Sequence, residues 1–196
     1  NAGTHTISAR ADITDAEFTH ELVHAYTVWA VTSKDPRVKE QMQQLEALRR
    51  KLTSDEGLAA MGLKFSEYQK FLRGTKVFRA IQFRNKNISD FDAAALSDYE
   101  FFNQKENQDK FYGLTDIKEL LSETMSNVRF AEQLSKVNSE VGFRLNKARG
   151  TSAWSKILQL AADMLEAMNI TFGSNVATEI SSIGASVISK RARNLG

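Results

Sequence analysis

A chain of 196 residues with 42% hydrophobic content is long enough to bury one good-sized core, which excludes an intrinsically disordered protein. Its 26 basic and 24 acidic residues are interleaved and leave a net charge of +2, so no surface for nucleic acid stands out. Cysteine is absent, which excludes disulfides and thiolate metal sites, leaves His, Asp and Glu as the strong ligands, and permits a reducing compartment such as the cytoplasm. No apolar run is long enough to cross a bilayer and no signal pattern opens the chain, so a soluble protein with no membrane partner is expected. The first residue is Asn1 rather than methionine, as in a processed product or a piece of a larger polypeptide.

Residues 4–9 are short and β-branched, which predicts a strand before the first helix, with His5 in it as a surface or strand residue rather than a ligand. Thr14 and Glu17 form a capping box, flanked by Ile13 and Phe18 as a hydrophobic staple. Phe18, Leu22, Ala25 and Trp29 then recur at helical spacing as the stripe expected to face the core, with His20, His24, Thr27 and Val31 on the opposite side, toward a cleft. The helix should stop near Ser33, because Asp35-Pro36 opens another. In that second helix Val38, Met42, Leu45, Leu48 and Leu52 form the buried side, and the charged positions read as a solvated face. A shorter helix over about 65–73 is expected to end at Gly74, residues 76–83 are open between strand and helix, and 90–104 should be helical. Asn103 to Lys110 reads as a polar loop, and a helix follows over about 117–127. Beyond Gly150, one helix should carry Trp154, Leu158, Ala161, Leu165 and Met168, and another should start near Ser174 and end on the basic Lys190-Arg191-Ala192-Arg193.

The distinctive motif is His20-Glu21-Leu22-Val23-His24. At about 100° per residue, an H-E-x-x-H run on a helix projects both imidazoles from one face, where they can reach one Zn²⁺, with Glu21 beside them to handle the proton of an attacking water. The bland alternative is a helix with two exposed polar histidines. A catalytic zinc needs three protein ligands. A histidine six residues after His24 would complete a metzincin set, but that position is Ala30, and Thr27 stands where that set has glycine. With His5 the only other histidine, the third ligand should be a carboxylate. Glu119 and Glu123 are spaced to share a helix face, yet Asp116 and Glu119 also fit a capping pattern, so local sequence divides evenly between a metal site and a helix start.

Taken together, His20-Glu21-Leu22-Val23-His24 and the later block from Tyr112-Gly113 through Glu119 and Glu123 resemble the metallopeptidase domain of anthrax lethal factor and the related peptidases of large phage polyvalent proteins. The likeness covers two short blocks, near 18–27 and 111–130, and departs where Leu120, Leu121 and Ser122 stand in place of aromatic and alanine residues. With the elements read above, the expected fold is a mainly α (α+β) zincin-like domain over 1–150, with a small N-terminal strand beside the active-site helix, and C-terminal helices at 151–196 packing on it or linking to a larger polypeptide. The resemblance implies Zn²⁺ held by His20, His24 and Glu119, with Glu123 orienting a histidine, Glu21 as general base and acid, and Tyr112 as a hydroxyl donor to the oxyanion; if Glu123 is the ligand, the two glutamates exchange roles. The expected activity is a zinc endopeptidase acting on a peptide or protein. The alternative is a structural or delivered virion protein that keeps the fold with little or no turnover. The rest of a larger polypeptide or a virion is the expected partner in either case.

Overall fold

A computed structural model describes residues 14–137 and 152–167. Among these the chain is mainly helical and contains no strand. The expected strand at 4–9 with His5, Ile13 of the staple, and the helix from Ser174 to the basic cluster lie outside the described residues.

The first two helices start where local chemistry places them. Helix α1 (Asp15–Thr32) is opened by the capping box: the Glu17 amide donates to Thr14 Oγ1 at 3.2 Å and the Thr14 amide to Glu17 Oε2 at 2.9 Å. Asp35 caps α2 (Pro36–Leu52) by accepting from the Arg37 amide at 2.8 Å, with Pro36 in the first turn, where a missing N–H costs nothing. Val38, Leu45, Leu48 and Leu52 are buried as the periodicity predicts.

The orientation of α1 differs from expectation. Among its described side chains, Val23, Tyr26, Thr27 and Ala30 are buried, whereas Ala25 and Trp29 are half-buried. Thr27, placed by periodicity on the histidine side, is fully buried, while Val31 on that side is 59% exposed and the two histidines are half-buried, so only part of the histidine side is turned inward. The reason is that α1 lies along a later helix, α7 (Ile117–Ser126), and also meets α9 (Ala153–Ala167), where the Tyr26 hydroxyl donates to the Ala161 carbonyl at 2.9 Å. Helix α9 buries Ala153, Ile157, Leu160, Ala161 and Met164, one position away from the expected Trp154 and Leu158, which are half-buried.

After the short α3 (Asp55–Ala60), α4 runs from Phe65 to Arg84, straight through Gly74. Gly74 is a point of close approach rather than a helix end. A Cβ there would strike the Asp98 carbonyl and lie 2.6 Å from the Phe102 Cβ, because α5 (Ala93–Asn103) crosses at this position. The helix ends instead at Asn85, whose left-handed conformation (φ 51°) closes it, so residues 76–83 are helical. The expected polar loop at 103–110 is mostly helix α6 (Lys105–Phe111). Its polar side chains terminate α5: the side-chain amides of Asn107 and Gln108 donate to the Phe101 and Phe102 carbonyls, each at 2.8 Å. A 3-10 turn (Tyr112–Leu114) leads into α7, and α8 (Val128–Ser135) follows.

One core joins these elements. Phe71 stacks near Phe102 (5.1 Å between ring centroids) and Phe111 (5.5 Å), and Leu114, Leu120, Leu121, Phe130 and Leu134 extend the core to α9. This packing holds α7 against α1.

Candidate metal centre

Helix α7 is fixed at its start by Asp116, whose Oδ1 accepts from the Lys118 amide at 3.0 Å and the Glu119 amide at 3.1 Å. Asp116 therefore caps the helix alone. The Glu119 carboxylate does not turn back to complete a capping box; it faces α1. Its Oε2 lies 3.1 Å from His24 Nε2 and 3.6 Å from His20 Nε2, and its Oε1 accepts from the Tyr112 hydroxyl at 3.1 Å. The two imidazoles sit with ring centroids 4.4 Å apart.

These spacings can be tested against the needs of a metal. Ligand atoms about 2.0–2.1 Å from a tetrahedral zinc lie about 3.3 Å from one another. The 3.1 and 3.6 Å separations from Glu119 Oε2 to the two Nε2 atoms fall on either side of that value. The donor set of two imidazoles and one carboxylate is one that zinc accepts, and Glu119 Oε2 stands at a ligand-like spacing from each Nε2. With its proton on Nε2, His24 also makes an ordinary hydrogen bond to Glu119 in the metal-free chain.

The remaining residues surround this triad. Glu123 Oε1 lies 3.5 Å from His20 Nδ1, the nitrogen away from Glu119, and its Oε2 accepts from the Asn127 side-chain amide at 2.7 Å. A carboxylate at the far nitrogen of an imidazole sets the tautomer and the ring plane. Ser126 Oγ approaches the same Nδ1 at 3.4 Å, and Ser122 Oγ donates to the His20 carbonyl at 3.4 Å. The sequence assigns no chemical role to Ser122, Ser126 or Asn127, although the Ser126-Asn127 step followed by Phe130 is part of the resemblance to the phage peptidases. The signal was present, since 119, 122, 123 and 126 share one face of a helix. Glu21 is exposed, and its carboxylate comes within 4.8 Å of a ligand nitrogen of each histidine.

Burial shapes the electrostatics. It raises the Tyr112 phenol far above its ordinary value, and the Glu119 charge adds to the effect, so Tyr112 stays a protonated donor. Burial likewise raises Glu123, reinforced by nearby Glu119 and opposed by the Asn127 hydrogen bond and by His20. A cleft of about 1010 Å³ opens beside the triad, lined by His20, Glu21 and Glu123 together with Lys110, Asn127 and Arg129. Tyr112, His24 and Glu119 do not line it.

The fold thus brings the candidates read from the sequence into two groups that share His20, one with Glu21 and His24 on α1 and one with Glu119 and Glu123 on α7, with Tyr112 of the preceding turn bonded to Glu119. Compared with protein-family models, curated proteins and solved structures, the chain matches none of them.

Proposed function

We propose that this chain is a zinc-dependent endopeptidase. The observation that carries the reading is the single carboxylate oxygen of Glu119 facing Nε2 of both His24 and His20, at 3.1 and 3.6 Å, with Glu21 beside them. Zinc held by His20, His24 and Glu119 would supply Lewis-acid polarisation of a peptide carbonyl and a water more acidic than bulk water.

The side chains do the rest. Glu21, exposed on the cleft wall, takes the proton of the attacking water on its carboxylate and returns it to the leaving amine. Tyr112 keeps its phenolic proton and offers it as a hydrogen bond to the oxygen that gains charge; with no substrate bound, the hydroxyl donates to Glu119 Oε1. Glu123, held by Asn127, orients His20 through Nδ1. The adjoining cleft is wide enough for a peptide or a segment of a protein. The resemblance of the two motifs makes a larger polypeptide or a virion the natural setting for the enzyme.

The test uses the full chain loaded with zinc, elemental analysis, and a mixed-sequence peptide library read by mass spectrometry. One zinc per chain and cleavage by the wild type are expected, with Glu21→Ala keeping the zinc and losing about 10²–10⁴ of the turnover. Undiminished cleavage by that variant, or no stoichiometric zinc in the wild type, would sink the proposal. Stoichiometric zinc without cleavage would favour the second reading, a structural or delivered protein that keeps the site without turnover.

A further inference from the structure

Arg49 sits on the charged side of α2, a side that reads from sequence as solvated, yet its side chain is only 20% exposed. Nε and Nη2 donate to the two carboxylate oxygens of Glu46, each at 2.9 Å. Nη1 points the other way and donates to the carbonyls of Leu114, at 3.1 Å, and Thr115, at 3.4 Å. A second donor arrives from α4, where the Tyr68 hydroxyl donates to the same Leu114 carbonyl at 3.0 Å.

Those two carbonyls belong to the short connection between Tyr112, whose phenol bonds Glu119, and Asp116, which caps the helix that carries Glu119. Within the connection the tie is local: the amide and hydroxyl of Thr115 both donate to the Tyr112 carbonyl, at 3.1 and 2.8 Å. Among the described residues, the hydrogen bonds to the two carbonyls from α2 and α4 come from Arg49 and Tyr68, and Arg79 of α4 lies 3.8 Å from the Asp116 carboxylate at the far end of the connection. A guanidinium suits this task because its planar fork can engage a carboxylate along one edge while another N–H is aimed elsewhere, with little rotamer freedom left to lose.

We infer that Arg49, oriented by Glu46 and assisted by Tyr68, is a positioning residue that clamps the Leu114 and Thr115 carbonyls, so that the Tyr112 phenol and the Glu119 carboxylate meet at His20 and His24. The clamp goes beyond the peptidase reading and rests on it only where the readout is zinc.

The experiment compares full-length wild type with Arg49→Met, Arg49→Lys and Tyr68→Phe, the last removing one hydroxyl and keeping the ring in the core. Arg50→Met is the control. It deletes a guanidinium that also pairs with Glu46, at 3.1 Å, but from an exposed position on the solvent side of α2. Two quantities are measured: the Cζ resonance of Tyr112 in metal-free, tyrosine-labelled protein, which reports the phenol bond to Glu119, and zinc affinity by competition with a chromophoric chelator.

In Arg49→Met and Tyr68→Phe the resonance should move and zinc affinity should fall about tenfold, in line with the loss of a residue that supports a metal ligand. Arg49→Lys should fall between Arg49→Met and wild type, and Arg50→Met should match wild type. Should Arg49→Met fail to fold, Tyr68→Phe carries the same two readouts. If wild type binds zinc and the variants bind it equally well, the clamp is overturned and the metal site stands. If wild type binds no zinc, the metal-site reading fails, and the resonance alone decides: movement in the two variants supports the clamp and its absence overturns it.

Discussion

Replacing Gly113 by alanine would place a methyl group 2.5 and 2.6 Å from Cε1 and Cζ of Phe130 and 2.9 Å from Cβ of Glu123. Carbon atoms in ordinary contact lie about 3.5–4.0 Å apart, so the neighbours must yield by about 1 Å. Gly113 does not occupy the left-handed region, so the cost is steric rather than conformational. Neither neighbour yields cheaply: Phe130 is fully buried, its amide bonded to Asn127 Oδ1 at 3.2 Å, and Glu123 is tied to Asn127 by its carboxylate. Overpacking of this kind costs about 1–3 kcal/mol. In a protein of this size that lowers the melting temperature by about 2–12 °C. Urea denaturation of Gly113→Ala, Phe130→Leu and the double variant completes a cycle that isolates the contact. Shrinking the ring should relieve the added methyl group, so the double variant should be more stable than the sum of the singles by about 0.5–3 kcal/mol. A neutral Gly113→Ala, or strict additivity of the two changes, would refute the claim that this glycine is required by the packing of Phe130 and Glu123 against the turn.

Three other outcomes are open to measurement. Glu119→Ala should abolish stoichiometric zinc binding, whereas Glu123→Ala should keep the ion with affinity lowered about 10–100-fold; equilibrium dialysis checks this, and the opposite order would exchange the two roles. Zinc at 100 times its dissociation constant should stabilise the chain by about 2.7 kcal/mol, raising the melting temperature by about 5–11 °C, and a chelator should reverse the shift. Glu46 is held below the usual carboxylate range, chiefly by its hydrogen bond to Arg49. A depressed folded-state value means stability present above the unfolded glutamate value of about 4.3 and lost as pH falls through the folded one. Glu46→Gln should therefore be less stable than wild type at neutral pH, and the difference should shrink on acidification through that window when melting is followed by circular dichroism.

How far the sequence carried depended on the range of the interactions. The Thr14–Glu17 box, the Asp35-Pro36 start and the buried positions of α2 rest on contacts within a turn or two of helix, and all were legible. Gly74 was misread because a glycine inside a helical pattern looks like an end until the helix that crosses it is known. Asn107 and Gln108 looked like loop residues because the carbonyls that they satisfy are recognisable only once α5 has ended. The face of α1 differs in part because Thr27, on the histidine side, packs inward while Ala25 and Trp29 of the apolar stripe are only half-buried.

The amino-acid sequence alone determined the residue types of the site and the spacing that puts His20, Glu21 and His24 on one helical turn, because a helix places residues i and i+4 together whatever surrounds it. It left Glu119 divided between a cap and a ligand. For Glu119, tertiary packing decided only where that side chain goes, by laying α7 along α1 so that a carboxylate 95 residues from His24 in the chain comes within 3.1 Å of its Nε2. It also decided that Arg49 reaches the turn below the site rather than water. The physical reason is one of range: periodicity and capping are settled by neighbours a few residues away, whereas the approach of two helices is settled by the whole core that holds them.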